Sequence, residues 1–230
     1  MAPPIPFDEA HAARYDEQFR PLARLRDALH LVTQLALSEL PEDAHVLCVG
    51  AGTGAELLEL APRFPGWRFT AVDTSGPMLA RCQARLVDAG LESRCVLHEG
   101  PIDGLPAAHG PFDAATAVLV SQFLVDPAQR RRFFAAIAER LRPRAPLLFA
   151  DLAADSLEGE LMELWKRAWR HAGASPEAIA SMATSVGESV AIAAPREIEA
   201  LVAASGFDAP LRVFQTVFIH GWLARRAAPA

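Results

Sequence analysis

The run Val46-Leu47-Cys48-Val49 breaks into Gly50-Ala51-Gly52-Thr53-Gly54 and then into Ala55-Glu56-Leu57-Leu58-Glu59-Leu60. Few architectures accept that order. An apolar strand, three alternating glycines and a helix start make the nucleotide-binding turn of an α/β sheet, because backbone without a Cβ can approach a ligand closely. The helix start adds free N–H groups and the positive end of a dipole for an anionic group. About 20 residues on, a second apolar run, Phe69-Thr70-Ala71-Val72, ends at Asp73, from which a carboxylate reaches both ribose hydroxyls. A nucleoside-containing cofactor is the first implication.

The length of 230 residues and the hydrophobic share of 51% suit one well-buried α/β domain and are too small for two full-sized ones. A net charge of −6 with scattered Arg and Lys lacks the basic footprint of a nucleic-acid binder. Met1 to Pro6 has neither the positive start nor the apolar centre of a signal peptide, and no apolar run approaches membrane-spanning length. A cytoplasmic protein that engages neither membrane nor nucleic acid is expected. Cys48, Cys82 and Cys95 are odd in number and lack C-x-x-C spacing, so they read as buried free thiols with no metal site.

Phe7 to Arg20 reads as a helix ended or kinked by Pro21, and Leu25, Leu29, Val32 and Ala36 follow helical spacing up to Pro41. Ser75 and Asp126 read as N-caps, each with a proline in the first turn behind it. Cys95 to Glu99, Phe112 to Val120 and Pro146 to Ala150 read as the third, fourth and fifth strands, the last closing at Asp151. Between Asp155 and Ala194 the pattern is helical and without a strand; Pro195 to Ser205 is a helix ended by Gly206; Leu211 to Phe214 and Thr216 to Leu223 form a hairpin. The expected fold class is therefore α/β: a Rossmann-like, doubly wound sheet, mostly parallel, with a C-terminal antiparallel hairpin. It forms a single domain over 1–230, with N-terminal helices in 1–40 and a helical lid in 155–194.

The ordered set of Gly50-x-Gly52-x-Gly54, then Asp73-Thr74-Ser75-Gly76-Pro77-Met78-Leu79, then Gly100 to Pro106, then Phe112-Asp113 resembles the class I S-adenosylmethionine-dependent methyltransferases. The resemblance runs from about Val46 to the C-terminus. It implies S-adenosylmethionine as cofactor and S-adenosylhomocysteine as product. Backbone at Gly50, Ala51, Gly52, Thr53 and Gly54 is then placed around the methionine part, and Asp73 on the ribose. Thr74 and Met78 fall near ribose and adenine, Pro101 and Ile102 at the adenine edge, and Leu119 at the end of the fourth strand beside the cofactor. Met78 reads equally well as helix packing.

Gly50, Gly52 and Ala55 also satisfy the dinucleotide pattern, so a nicotinamide-binding oxidoreductase stays open on glycines alone; the C-terminal hairpin favours the methyltransferase. Two departures from the family stand out. Cys48 occupies the position where an acid usually lies near the cofactor's ammonium, and Pro101 stands where many members carry Asp beside the adenine amine. Each lost charge-assisted hydrogen bond weakens binding by about 1 to 3 kcal/mol, so a modest cofactor affinity is expected.

Leu119-Val120-Ser121-Gln122-Phe123 lacks the Asn/Asp-Pro-Pro-aromatic motif of amino-methylating members and the Pro-Cys of cytosine C5 enzymes. No Asp/Asp/Asn set for magnesium is present there or near Asp151. Methyl transfer to a small-molecule acceptor without a metal remains. Gln122, Tyr15 and Ser121 are the catalytic candidates; Phe19, Phe123, Asp151, Trp165 and Trp169 are the acceptor-contact candidates. Trp165 and Trp169 read also as lid packing, and Tyr15 and Phe19 as a surface helix. Proton acceptors are sought among His11, Tyr15, His98, His109 and His171.

A narrower likeness is to carboxy-S-adenosylmethionine synthase, through Gln122-Phe123-Leu124, Ser181-Met182, Gly206-Phe207 and Phe214-Gln215 ahead of Phe218. Leu201 stands where that family carries the arginine for the extra carboxylate, which favours the plain cofactor. A cofactor-binding protein without turnover is a further alternative, and a homodimer is left open.

Overall fold

The computed structural model describes residues 7–228, so the expectation about Met1 to Pro6 lies outside them. In chain order the elements are α1 (Glu9–Phe19), α2 (Ala23–Leu37), β1 (His45–Val49), α3 (Ala55–Arg63), β2 (Arg68–Asp73), α4 (Gly76–Asp88), β3 (Cys95–Glu99), β4 (Ala114–Val118), α5 (Pro127–Arg140), β5 (Pro146–Leu152), α6 (Glu160–His171), α7 (Pro176–Ser185), α8 (Pro195–Ala203), β6 (Leu211–Thr216) and β7 (Ile219–Arg225). Seven strands form one sheet in the order β3-β2-β1-β4-β5-β7-β6. The first five are mutually parallel, while β7 runs antiparallel to both β5 and β6, which is the expected hairpin.

β1 lies between β2 and β4, so the order of the sheet reverses there. The carboxyl ends of β1 and β4 flank the resulting crevice, where open α/β sheets bind ligands. Both faces are covered, as continuous apolar strands require. Leu37, Leu57, Leu60, Cys82 and Leu86 pack from α2, α3 and α4 on one face, and Phe134, Ile137, Ile198 and Val202 from α5 and α8 on the other.

The caps follow the sequence. Ser75 Oγ accepts the Met78 amide and Asp126 Oδ1 accepts the Ala128 amide at 2.9 Å, each relieving an unpaired donor of a first turn. Pro21 separates α1 from α2 through a single-turn helix at Arg20–Leu22, because it cannot supply the next backbone donor. The fourth strand is shorter than expected from its apolar run. Phe112 forms an isolated bridge to Leu141, and Leu119 takes a φ of 54°, which ends the strand and turns the chain over the crevice.

The 155–194 stretch holds α6 and α7 and only isolated bridges. It is stitched to the sheet by the Ala154 amide to the Ala193 carbonyl at 3.0 Å, and to the crevice by the Ala191 amide to the Gln122 carbonyl at 2.7 Å. Among the described residues no helix is long and apolar enough to cross a membrane.

Candidate active site

The glycine turn adopts the conformations its sequence permits and other residues resist. Gly50 has a φ of +70°, and a Cβ there would lie 2.4 Å from Val120 Cγ2. Gly54 has a φ of +79°, and its Cβ would meet Cys82 Sγ at 2.5 Å. These contacts let the loop fold tightly against β2: the Gly50 and Ala51 amides donate to the Val72 carbonyl at 2.7 and 3.1 Å. Asp73, at the end of β2, accepts the Gly52 amide on Oδ2 at 2.8 Å and the Ser75 amide on Oδ1 at 2.9 Å. Its carboxylate is thereby fixed in orientation beside the loop.

A cavity of about 380 Å³ opens from this loop, within the size of small-molecule sites. Gly50, Ala51, Gly52 and Thr53 line one end, and Leu119, Gln122 and Phe123 come from the turn after β4. Tyr15 and Phe19 enter from α1, and Trp165 and Trp169 from α6. The chain thus brings to the loop two stretches distant from it in sequence, the N-terminal helix that ends at Phe19 and the insert whose α6 starts at Glu160.

The lining is mostly apolar, and it carries orphaned polar atoms. His11 Nε2, His30 Nδ1, Glu56 Oε1, Gln122 Oε1 and Trp169 Nε1 are buried without a hydrogen-bond partner, and all five residues line this one cavity. Buried polar groups are normally paired, so the cavity offers unused polar atoms from five elements to a ligand or to water.

α1 roofs the loop. Asp16 accepts the Thr53 hydroxyl at 2.7 Å and pairs with Arg85 of α4 at 3.2 Å, while Ser75 Oγ donates to the Phe7 carbonyl at 2.6 Å. Tyr15 belongs to this roof and lines the cavity; burial raises its phenol pKa, and the Asp16 and Asp73 carboxylates add to the rise. Its hydroxyl is therefore kept protonated, a donor at neutral pH. Phe7, His11, Tyr15 and Phe19 follow one another along the roof, with ring centroids 4.9 to 5.7 Å apart, and Phe19 meets Trp169 edge-on at 5.5 Å.

Not every expected residue lines the cavity. Asp73, Thr74, Met78, Pro101 and Ile102 lie beyond its lining, on the side of the loop toward β2 and β3, with Thr74 and Pro101 exposed and Met78 and Ile102 buried. Gly54 is set against Cys82 below the loop.

Ser121 and Asp151, expected as catalytic and acceptor-contact residues, lie outside the cavity lining. Asp151 is fully buried and pairs with Arg130 of α5 at 2.7 Å. The Ser121 hydroxyl donates to Asp151 Oδ2 at 2.5 Å and accepts from Arg130 Nε at 2.9 Å. The network engages the Ser121 hydroxyl and Asp151 Oδ2, leaving Asp151 Oδ1 buried without a partner, and it fixes the single-turn helix Ser121–Phe123 and so the position of Gln122. Burial raises the Asp151 pKa, opposed by the Arg130 guanidinium and the Ser121 hydroxyl.

Glu56, His30 and Arg26 line the cavity and were not among the expected site residues. His30 is 4% exposed, and its pKa is lowered to about 4 by burial and then by Arg26, so its imidazole is neutral at pH 7. Its legible signal was a polar residue next to Leu29 on the core face of α2. Of the expected proton acceptors, His11 and Tyr15 line the cavity, whereas His98, His109 and His171 do not.

The sheet order, with its reversal at β1 and its antiparallel β7, is the class I methyltransferase architecture, not the all-parallel dinucleotide fold. Residues 46–144 match the methyltransferase domain family, a match that supports a class I S-adenosylmethionine-dependent methyltransferase. The cofactor of that family is S-adenosylmethionine.

A malonyl-[acyl-carrier protein] O-methyltransferase of Magnetococcus marinus is 34% identical over 42% of this chain and 34% of its own length. Aclacinomycin 10-hydroxylase RdmB of Streptomyces purpurascens is 37% identical over 40% of this chain and 28% of its own. The solved structure of the mitomycin 7-O-methyltransferase MmcR superposes with a TM-score of 0.65 at 20% identity, covering 87% of this chain and 54% of that one, a likeness of fold. The chain spans 28% to 55% of the length of the curated relatives it matches.

Proposed function

We propose that the protein is a metal-independent methyltransferase that uses S-adenosylmethionine to methylate a small, largely apolar acceptor. The observation that carries this reading is the single cavity that joins the glycine loop to an aromatic chamber and bears the five orphaned polar atoms. The residues fit the cofactor: the glycine loop packs so closely on Val120 and Cys82 that side chains are excluded and its backbone borders the cavity, and Asp73 is a carboxylate oriented by two amides. Gly50 to Gly54 and Leu119 hold the methionine part, Asp73 with Thr74 the ribose, and Met78, Pro101 and Ile102 the adenine.

Bound S-adenosylmethionine supplies an electrophilic methyl group, and the chain's task is to hold an acceptor atom on its axis and keep water out. Gln122 Oε1 and the Tyr15 hydroxyl are the polar groups that orient the acceptor in the chamber, with Phe19, Phe123, Trp165 and Trp169 as its apolar walls. The neutral His30 imidazole and His11 are available to accept a hydrogen bond or a proton. Residues 1–40 and 155–194 act as closing segments of one domain. The protein works in the cytoplasm without nucleic acid, alone or as a homodimer.

Mass spectrometry of the ligand carried through purification, followed by calorimetry with S-adenosylmethionine, S-adenosylhomocysteine and NAD, tests the cofactor. A methyl-transfer screen over phenols, carboxylates and amines tests the reaction. Tight NAD binding without response to the other two ligands would refute the proposal. The likeness to a protein named a hydroxylase supports a second reading, a domain that binds the cofactor without methyl transfer; tight cofactor binding with a silent screen would favour it. Leu201, the position that bears on a carboxylated cofactor, packs from α8 against the sheet and lies outside the cavity lining.

A further inference from the structure

We propose that Glu56, in the first turn of α3, is the acidic anchor for the cationic α-amino end of the cofactor, replacing the carboxylate that β1 lacks at Cys48; this rests on the cofactor reading above. Glu56 is 8% exposed and lines the cavity together with Gly50 to Thr53. Its carboxyl is flanked by the Cys48 thiol of β1 and the Thr116 hydroxyl of β4. Glu56 Oε1 and Thr116 Oγ1 have no hydrogen bond of good geometry; burial raises the Glu56 pKa, opposed only by the neighbouring Thr116 hydroxyl and Cys48 thiol and by no charged group.

A carboxyl with no cationic partner in such a place is unfavourable for the free protein, and packing alone calls for an apolar residue like its neighbours Leu57, Leu60 and Ala61. A cation arriving through the cavity reverses that balance, since it supplies the missing partner in a site of low dielectric. The first turn of α3 supplies amide donors and a positive dipole end that further favour the ionised form. Cys48 and Glu56 thus share one small space behind the glycine loop, and the acid has moved from the strand to the helix. The cofactor affinity is therefore not reduced by the cysteine at position 48.

Calorimetry with two ligands separates the parts. S-adenosylhomocysteine carries the amino-acid end, and 5′-methylthioadenosine lacks it. In the wild-type chain both should bind. Glu56→Gln should weaken S-adenosylhomocysteine roughly 10- to 100-fold, the range of one charge-assisted contact, and leave 5′-methylthioadenosine within about two-fold. Glu56→Leu combined with Cys48→Asp should restore S-adenosylhomocysteine to within about five-fold of wild type, because the carboxylate returns to the same space from β1.

Unchanged S-adenosylhomocysteine binding by Glu56→Gln would overturn the assignment. So would equal loss of both ligands, which would mean that Glu56 only shapes the loop. A folded swap variant that stays weak would refute the shared space. A wild-type chain that binds neither ligand would instead refute the cofactor reading itself.

Discussion

Asp151→Leu should destabilise the protein by about 4 to 5 kcal/mol, and Arg130→Met by somewhat less, about 3 kcal/mol. The two side chains are 0% and 5% exposed and meet at 2.7 Å, so neither has water to fall back on. Removing one partner leaves the other as an uncompensated buried charge. The asymmetry follows from chemistry: a stranded Asp151 can take up a proton, and burial already raises its pKa, whereas a stranded guanidinium cannot lose one.

The combined Asp151→Leu and Arg130→Met variant should recover to within about 1 to 2 kcal/mol of wild type, giving a coupling of several kcal/mol. Urea unfolding followed by tryptophan fluorescence measures all four proteins. Additive single costs would refute the pair as a structural unit. Asp151→Leu that stays as stable as wild type yet loses methyl transfer would return the carboxylate to the acceptor site.

Burial of neutral His30 gives a second expectation. Its folded pKa, about 4, lies below the ordinary value of 6.5, so its stabilising contribution is full above pH 6.5 and is lost as pH falls toward 4. His30→Leu should show a flatter stability curve than wild type across that window in denaturant titrations at several pH values; an identical slope would place the imidazole in solvent. Gln122→Ala and Tyr15→Phe should lower methyl transfer while leaving S-adenosylmethionine affinity within about 1 kcal/mol, as expected of groups that act on the acceptor. Loss of cofactor binding with turnover kept at saturation would refute their placement. Gly50→Ala drives a Cβ to 2.4 Å from Val120 and should abolish cofactor binding in calorimetry, whereas retained affinity would mean that the turn relaxes.

The sheet was legible because its strands are apolar runs punctuated by turns and caps whose chemistry is local. Ser75 and Asp126 cap as their positions demand, and the β1 turn is written in glycines that only positive φ explains. The end of β4 was not legible, since Leu119 adopts a left-handed conformation that its side chain disfavours and only the surrounding packing imposes.

The site was legible where function rests on backbone and obscure where it rests on long-range pairing. Ser121 and Asp151 are polar residues at strand ends, which is where ligands bind, yet their partner Arg130 sits on another helix. Its position in register with Phe134, Ile137 and Leu141 was the available sign of a buried cation needing an acid. Glu56 carried the same kind of sign, a charge directly ahead of the buried Leu57 in a helix that packs on the sheet.

The aromatic residues make the roof of the loop and the wall of the chamber one structure. Phe7 meets Phe123 at 5.2 Å, and from Phe7 the rings run through His11, Tyr15 and Phe19 to Trp169, Trp165 and finally Phe218 beside β7. These edge-to-face and tilted ring contacts are directional, so a shift of one ring is passed to the next. α1 is held to the cofactor loop by Asp16, through Thr53 and Arg85, and to α6 by Phe19 on Trp169. A displacement of Trp165 or Trp169 is therefore passed to the same helix that covers the loop. Substitutions at these rings should therefore change how firmly α1 seats over Gly50 to Gly54, because one row of side chains joins α6 to the helix that covers the loop.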